Sequence, residues 1–327
     1  MSISTWGATD RHGAAPRSAT RRPVGAKAIV IGEHAVLYGA AIAGVHIGAV
    51  GTLATVGTES ELGPPSDETV RIGVDASDEP IAVVARSTLD AIGRGEMSAG
   101  SHIEVRSTVP MGRGLGSSAS VFVAVVDAVL DHCGVARGTA ERIRLAQVGE
   151  RIAHGTSSGF DVECVARGDG MYGGTGKVRR RIGHPEDWVF VIGDSGTFGS
   201  TRAAIAKVAD LMRHSESHRR EMRRIRAAAD DAVADLESSS PSMAAVGSAM
   251  LECHQRLARF DISTPALDRM VESAAASGAA GAKLSGAGLG GCVIALARTD
   301  RTSAVEQALR GCGAEHVWTV TASEVAA

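Results

Sequence analysis

A glycine-rich segment at residues 110–119 carries residue types that could hold a phosphate. Its sequence is Pro-Met-Gly-Arg-Gly-Leu-Gly-Ser-Ser-Ala, and its three alternating glycines would let the backbone approach a ligand closely. The apolar helix predicted over residues 118–133 would direct its N-terminal N–H groups toward a bound anion. Ser117 and Ser118 add hydroxyls that suit a phosphate or a magnesium ion. Spacing alone leaves a plain turn equally open, because the segment matches neither the Walker A nor the Rossmann pattern.

A second glycine-rich segment lies at residues 283–292, between two strand-like runs. It reads Lys-Leu-Ser-Gly-Ala-Gly-Leu-Gly-Gly-Cys. By itself this segment could be an ordinary loop, since such loops are common. Two glycine-rich loops in one chain nevertheless favour a phosphorylated ligand held between them.

Lysine is rare in this chain, so each lysine is a candidate for a specific role. Only four of the 34 basic residues are lysines: Lys27, Lys177, Lys207 and Lys283. A lysine supplies a compact point charge, whereas an arginine supplies a planar fork. Lys27 begins a predicted strand and is followed by Gly32-Glu33-His34. It could serve chemistry as a point charge, or it could be an exposed lysine at a strand end.

Residues 150–161 combine carboxylate, imidazole and hydroxyl groups around a turn broken by glycines. Glu150 and His154 are four residues apart, so they would share one face of a helix. No third ligand follows at zinc spacing, which disfavours a zinc site. The carboxylate of Glu150 could instead hold magnesium, with Asp161 as a general base. An ordinary helix end with Asp161 as its N-cap stays open, because spacing does not decide between these interpretations.

The elements that must position these residues alternate in type up to about residue 193 and are mostly helical afterwards. The patterns predict strands at 27–31, 41–56, 102–106, 177–182, 188–193, 280–284, 292–297 and 315–320, and helices at 81–95, 118–133, 139–153, within 200–277 and at 302–311. The helix at 139–153 would open with the capping pattern Thr139-Ala140-Glu141-Arg142. We expect a disordered basic tail at residues 1–23, an N-terminal lobe at 24–194 and a C-terminal lobe at 195–327.

The composition is that of an ordinary globular protein and disfavours several function classes. Of 327 residues, 44% are hydrophobic and 22% are charged, and the net charge of −3 gives no global reason to expect a nucleic-acid partner. No apolar run approaches the ~18 residues that span a bilayer, and the start lacks the apolar region of a secretory signal. Five scattered cysteines predict reduced, mostly buried thiols in a cytoplasmic protein. The basic run at residues 218–226 includes Glu221, which favours a solvated helix face.

Taken together and in this order, these segments resemble the GHMP kinases, a family of small-molecule kinases. The most specific stretch is Lys-Ala-Ile-Val-Ile-Gly-Glu-His-Ala-Val-Leu-Tyr-Gly at residues 27–39, and residues 112–119 resemble the family's phosphate loop. Residues 154–161 resemble the segment with the catalytic aspartate, residues 286–292 the third glycine motif, and residues 194–202 the segment between the lobes. The chain departs from the family pattern at Gly25-Ala26, Ser157, Val162 and Leu289, and none of these changes removes a charged catalytic group.

The resemblance implies a two-lobed α+β fold, with an N-terminal ATP-binding lobe like domain 2 of ribosomal protein S5 and a ferredoxin-like C-terminal lobe. It implies that Asp161 accepts or orients the proton of the substrate hydroxyl and that Lys27 neutralises developing charge. Ser118 and Glu150 would hold Mg²⁺, the implied cofactor. The residues implied to bind ATP are Pro110, Gly112, Arg113, Gly114, Leu115, Gly116, Ser117, Ser118 and Ala119. The residues implied to bind the acceptor are Glu33, His34, Thr201, Gly286 and Gly288.

The Gly-Glu-His-Ala-Val run is most similar to family members that act on mevalonate. The resemblance therefore implies ATP-dependent phosphorylation of the primary hydroxyl of mevalonate to 5-phosphomevalonate, a step in isoprenoid precursor synthesis. Other acceptors stay open, among them homoserine, phosphomevalonate and a sugar, and a non-catalytic ligand sensor on the same fold is a further alternative. The expected partners are the small molecules ATP and mevalonate, with no nucleic acid and no membrane, and a homodimer is one conceivable assembly.

Overall fold

The computed structural model describes residues 22–75, 77–155, 158–168, 170–176, 178–183 and 185–321. Nearly all of the tail expected at residues 1–23 therefore lies outside the described residues, as do Thr156, Ser157 and Lys177. Within the described part, helices accompany two antiparallel sheets, which confirms the expected α+β class.

The first sheet has six strands in the described part of the chain and is organised around its longest one. The strands are β1 (Val24–Ile31), β2 (Ala41–Thr58), β3 (Val70–Gly73), β4 (Ser101–Ser107), β5 (Met171–Thr175) and β6 (Val178–Ile182). The order along the sheet is β3-β4-β2-β5-β6, and β1 also pairs with β2. Because β2 has 18 residues, it can pair with β4 along one half and with β1 and β5 along the other.

Five helices belong to this first sheet. They are α1 (Glu59–Leu62), α2 (Pro80–Ala91), α3 (Ser117–His132), α4 (Thr139–His154) and α5 (Phe160–Arg167). Helix α3 is buried along almost its whole length, because β2 covers one side and α2, α4 and α5 cover the others. Its run of Val and Ala side chains fills this enclosed position and forms the centre of the N-terminal core.

The second sheet is formed by strands that alternate along the chain with the C-terminal helices, and the last three of these helices pack against it. Its strands are β7 (Trp188–Asp194), β8 (Gly281–Ser285), β9 (Cys292–Arg298) and β10 (His316–Thr321), in the order β10-β7-β9-β8. Its helices are α6 (Thr201–His214), α7 (Glu216–Leu236), α8 (Met243–Ala258), α9 (Pro265–Ala276) and α10 (Thr302–Gly311). Helices α6 to α9 each begin after a hydroxyl side chain that accepts a backbone N–H of the first turn, which fixes where they start.

Most predicted elements are present, with ends within a few residues of those expected. The capping pattern expected at Thr139 is wrong: Thr139 is already the first helical residue, and Gly138 precedes it as an N-cap without a side-chain hydrogen bond. The expected division after residue 194 also differs from the strand pairing. Strand β7 ends at Asp194, but it pairs with β9 and β10, so it belongs to the second sheet.

The cysteines have the state expected from the sequence. All five cysteines are free, and Cys164, Cys253 and Cys292 are buried. Across the described residues, every helix is too short or too polar to cross a membrane.

Candidate functional site

The phosphate loop, residues 110–119, joins β4 to α3 and depends on glycines for its shape. Gly112, Gly114 and Gly116 have φ values of 68°, 75° and 72°, a left-handed conformation that disfavours other residues. Gly116 is also the N-cap of α3 and offers no side chain to the first turn. The cap residue therefore leaves the N–H groups of this turn uncovered, which is the arrangement that an anion site at a helix N-terminus requires.

The C-terminal glycine loop, residues 286–291, joins β8 to β9 and packs against the phosphate loop. A Cβ atom on Gly114 would lie 2.8 Å from the carbonyl oxygen of Ser285, and one on Gly286 would lie 2.9 Å from the Cα of Gly114. A Cβ atom on Gly291 would lie 2.7 Å from the carbonyl oxygen of Arg113. The two loops thus meet backbone to backbone, which only residues without side chains allow.

Lys27 connects the phosphate loop to the carboxylate expected to act as a base. It lies on β1, is 1% exposed and donates from Nζ to the carbonyl oxygen of Gly114 at 2.9 Å. The same Nζ lies 3.1 Å from Oδ2 of Asp161, whose side chain is 36% exposed. Lys27 is therefore not an exposed strand-end lysine. Asp161 is not an N-cap either, because Gly159 occupies that position and Asp161 lies in the first turn of α5.

Ser118 and Glu150 lie together beside this pair. Ser118 Oγ donates to Glu150 Oε1 at 2.5 Å, and Nε2 of His154 lies 3.2 Å from the same hydroxyl. Burial raises the pKa of Glu150, and the negative charge of Asp161 raises it further. A buried carboxylate that is repelled by a second one, with a hydroxyl beside it, is an oxygen set that fits a hard divalent cation. The structure thus brings together both residues expected to hold Mg²⁺.

Glu33 and His34 lie beneath the C-terminal glycine loop and are both buried. Lys283, on β8, donates from Nζ to Glu33 Oε1. His34 has a φ of 57° and donates from Nε2 to the carbonyl oxygen of Ala287 at 2.8 Å. Burial lowers the pKa of His34 to about 4, so the imidazole is neutral at pH 7. Both residues are thus engaged by the C-terminal lobe at the position where the resemblance implies an acceptor pocket.

Other residues expected at the site take different positions. Thr201, the first residue of α6, lines a narrow cleft between the two loops together with Gly112, Gly114 and Gly288. Leu115 is buried in the core and contributes its backbone, since its carbonyl oxygen accepts the N–H of Lys27 at 3.0 Å. The remaining expected ATP contacts, Pro110, Ser117 and Ala119, lie on the loop and on the first turn of α3.

The side chain of Arg113, a residue implied to bind ATP, contacts two carboxylates of the protein. Its Nε lies 3.6 Å from Asp194 Oδ1, and its Nη2 lies 3.3 Å from Glu315 Oε2. Both carboxylates belong to the second sheet region, at the end of β7 and just before β10. The guanidinium is therefore occupied by protein carboxylates.

Two residues of the site are missed by the sequence-based assignment. Lys283 pairs with Glu33 although 250 residues separate them, and the scarcity of lysine is the signal that could have selected it. Ser285 connects the lobes, because its Oγ accepts the N–H of Ile29 at 2.8 Å and donates to the Ile29 carbonyl at 3.1 Å. No sequence pattern distinguishes Ser285 from an ordinary loop serine.

Two sequence profiles match this chain. The profile of the GHMP kinases N terminal domain matches residues 81–169, and that of the GHMP kinases C terminal region matches residues 232–315. A mevalonate kinase from Pyrococcus horikoshii is 31% identical over 214 residues, which cover 63% of this chain and 62% of that protein, less than two thirds of its length. A mevalonate kinase from Thermococcus sibiricus is 27% identical over 318 residues, which cover 88% of this chain and 92% of that protein.

A solved structure shares the fold. The crystal structure of L. major mevalonate kinase in complex with R-mevalonate has a TM-score of 0.73 to this chain at 23% identity. The superposition covers 92% of this chain and 95% of that one. The overall fold is therefore common to both proteins.

Proposed function

Because the chain belongs to the GHMP kinase family, we propose that it transfers the γ-phosphoryl group of ATP to the primary hydroxyl of mevalonate, giving 5-phosphomevalonate. The observation that carries the proposal is the position of Lys27. One buried ammonium contacts both the phosphate loop, at Gly114, and the carboxylate of Asp161. Asp161, which would receive the hydroxyl proton, is thus held next to the phosphate loop, which would bind the phosphates of ATP.

Phosphoryl transfer passes through a loose transition state in which charge spreads over the transferred group, so positioning and electrostatics supply most of the catalysis. The carboxylate of Asp161 is partly exposed, so an acceptor hydroxyl can reach it and give up its proton. The ammonium of Lys27 holds this carboxylate in place and offsets negative charge that develops on the acceptor oxygen. The N–H groups at the start of α3 would hold the phosphates of the nucleotide.

Ser118 and Glu150 are the residues that would hold Mg²⁺. When bound, the ion supplies positive charge that neutralises the phosphates of ATP. Glu150 supports this role because it is buried and its repulsion by Asp161 would be relieved by a cation. His154, which contacts the Ser118 hydroxyl, would keep that hydroxyl oriented.

Mevalonate is proposed as the acceptor because of the sequence relatives and the Gly-Glu-His-Ala-Val run. The relatives from Pyrococcus horikoshii and Thermococcus sibiricus both have the name mevalonate kinase. A different small alcohol remains the main competing acceptor, since Glu33 and His34 are held by Lys283 and Ala287. A sensor without catalysis is less well supported, because it would not need Lys27 and Asp161 in contact.

The test is an assay of ADP release with mevalonate, homoserine, phosphomevalonate and galactose as separate acceptors. Mevalonate should give the highest kcat/KM, and the phosphorylated product should be detected by mass spectrometry. The Asp161→Asn variant measures ADP release that does not depend on the site. ADP release with another alcohol alone would change the acceptor, and release with none of them would contradict the proposed activity.

A further inference from the structure

Arg113 lies on the phosphate loop, but its side chain contacts the other lobe. Its guanidinium is placed between Asp194, at the end of β7, and Glu315, just before β10. These two acidic residues are themselves neighbours, because the N–H of Glu315 donates to the carbonyl oxygen of Asp194 at 2.8 Å. The loop is thereby connected to the edge of the second sheet by a charge contact that spans about 200 residues of sequence.

The burial of these groups argues against a direct contact between Arg113 and a nucleotide. Among the described residues, Nη1 of Arg113 has no hydrogen-bond partner, but it is buried, so a phosphate cannot reach it while the side chain keeps this position. Nε and Nη2 are the two nitrogens closest to the carboxylates. Movement of the guanidinium toward a nucleotide would therefore abandon both carboxylates.

Asp194 makes such a movement costly. It is 1% exposed, and burial raises its pKa, an effect opposed by the N–H of Gly196 and by the charge of Arg113. Without the guanidinium, the buried carboxylate of Asp194 would lose its cation and would be repelled by the nearby, half-exposed carboxylate of Glu315. Asp194, Glu315 and His316 also have potential ligand atoms within 4.8 Å of one another, but Arg113 already supplies positive charge to that group.

We propose that Arg113 is a positioning residue, which anchors the phosphate loop to Asp194 and Glu315 and so holds the loop in the shape that binds ATP. This inference rests on the proposed function, since it requires that the loop bind ATP. The loop has three left-handed glycines, which restrict it little by themselves. Besides the two hydrogen bonds from Lys27, its anchors include the Arg113 guanidinium, the buried Leu115 side chain and the hydrogen bond from the N–H of Gly199 to the carbonyl oxygen of Gly112 at 2.8 Å.

The test compares Arg113→Met, Glu315→Gln and the double variant, with Mg-ATP affinity measured by titration and KM for ATP and the acceptor measured separately. We expect Arg113→Met to weaken ATP binding about tenfold, as for loss of one coupling contact. Glu315→Gln should also weaken ATP binding, but by a smaller factor. The double variant should match Arg113→Met, because the contact that Glu315→Gln removes is already lost when Arg113 is replaced. KM for the acceptor should stay within about twofold of the wild type.

A direct phosphate contact makes the opposite prediction for Glu315→Gln. Removal of that carboxylate would then free Arg113, so ATP affinity would stay the same or increase, and this result would overturn the inference. The Glu315 side chain is 52% exposed, so the Glu315→Gln variant is expected to fold. Glu315 is therefore replaced in this test rather than the buried Asp194. Arg106→Met serves as a control, because Arg106 lies on β4 just before the loop and makes an exposed pair with Glu68.

The outcomes separate the inference from the proposed function. If the wild-type protein binds no Mg-ATP, the proposed function fails, whatever the variants do. If the wild type binds Mg-ATP and Arg113→Met binds it equally well, the function stands and the positioning role fails. Loss of ATP affinity in Arg106→Met to the same extent as in Arg113→Met would likewise overturn the specific role of Arg113.

Discussion

Lys27 determines much of the chemistry at the scale of single residues, because a buried ammonium needs a partner. Its partners are Asp161 and the carbonyl oxygen of Gly114. Because Lys27 is only 1% exposed, bulk water cannot replace these partners. A change at Asp161 therefore affects two groups at once, the base and the charge next to it.

Asp161→Asn should reduce turnover by about 10²–10⁴-fold, the usual effect of removing a positioned base. The amide keeps the shape of the side chain but cannot accept the proton or pair with the Lys27 charge. ATP affinity should change little, since the phosphate loop supplies a separate set of contacts. The measurement is kcat together with the ATP dissociation constant on the same folded sample. Asp210→Asn, an exposed aspartate on α6, is the control, and near-normal turnover of Asp161→Asn would contradict its catalytic role.

Glu150→Gln should raise the magnesium concentration for half-maximal activity by roughly tenfold or more, with little change in the melting temperature. In the wild type, magnesium binding requires the ionised carboxylate. Because burial and Asp161 raise the pKa of Glu150, magnesium affinity should weaken as the pH falls, beginning at a higher pH than for an ordinary glutamate. The variant should lack this pH dependence. Unchanged magnesium dependence in the variant would make Glu150 purely structural.

His34→Asn should reduce the loss of stability in acid. Burial lowers the pKa of His34 from 6.5 to about 4, so the unfolded chain takes up the proton first. Its contribution to the free energy of unfolding is full above about pH 6.5 and is lost as the pH falls toward 4, up to about 3 kcal/mol. Asparagine tolerates the φ of 57° at this position. Denaturant unfolding at pH 7.5 and 4.5 measures the effect, and an equal loss in both proteins would contradict it.

At the scale of elements, long and strongly patterned segments can be predicted from sequence, whereas several of the short ones cannot. Strand β2 and helix α3 have continuous apolar patterns, so their place and type follow from the residues. The sequence patterns miss β3, β5, α1 and α5. Strand β3 has four residues at an edge, β5 contains two adjacent glycines, and α5 has eight residues between glycines.

The same distinction applies to the candidate site. Contacts within one motif follow from spacing, as for Glu150 and His154 on one face of α4. Glu33, just after β1, pairs with Lys283 on β8, and only the folded arrangement of β1 and β8 brings these two residues together. The direction of the Arg113 side chain is likewise set by the second sheet, which no local pattern reveals.

Gly114→Ala tests the contact between the two glycine loops. Alanine at a φ of 75° costs about 1–3 kcal/mol in backbone strain, and its Cβ would also meet the Ser285 carbonyl oxygen at 2.8 Å. Gly134→Ala is a matched control, since Gly134 has a φ of 64° but open space around its Cβ position. Both variants should lose stability in urea, but only Gly114→Ala should weaken ATP binding. Equal ATP affinity in the two variants would show that loop contact is unimportant for the nucleotide.

At the scale of the whole molecule, removal of residues 1–22 should leave activity largely intact. This segment is rich in Arg, Ser, Ala and Pro and poor in large apolar residues, so it lacks the side chains that anchor a segment to a core. The measurement is kcat and KM of the truncated protein, with its melting curve as the test of folding. A folded truncation with most of its turnover lost would assign the segment to the site.

Cytoplasmic location and a homodimer also stay predictions. Light scattering on the purified protein would test the homodimer.

The hydroxyl of Ser285 contacts strand β1 at Ile29, and the ammonium of Lys283 contacts Glu33 just after β1, each across roughly 250 positions of the chain. During synthesis, β1 emerges from the ribosome first, whereas β8 is among the last strands to be made. Until then Glu33 lacks its cation, and the backbone of Ile29 lacks the serine that satisfies it. These contacts of β1 and Glu33 therefore form only after the C-terminal lobe has been synthesised. Contacts of such long range slow folding. A nascent chain halted before β8 would have the catalytic residues Lys27 and Asp161 already synthesised, yet it would be inactive and exposed to proteases.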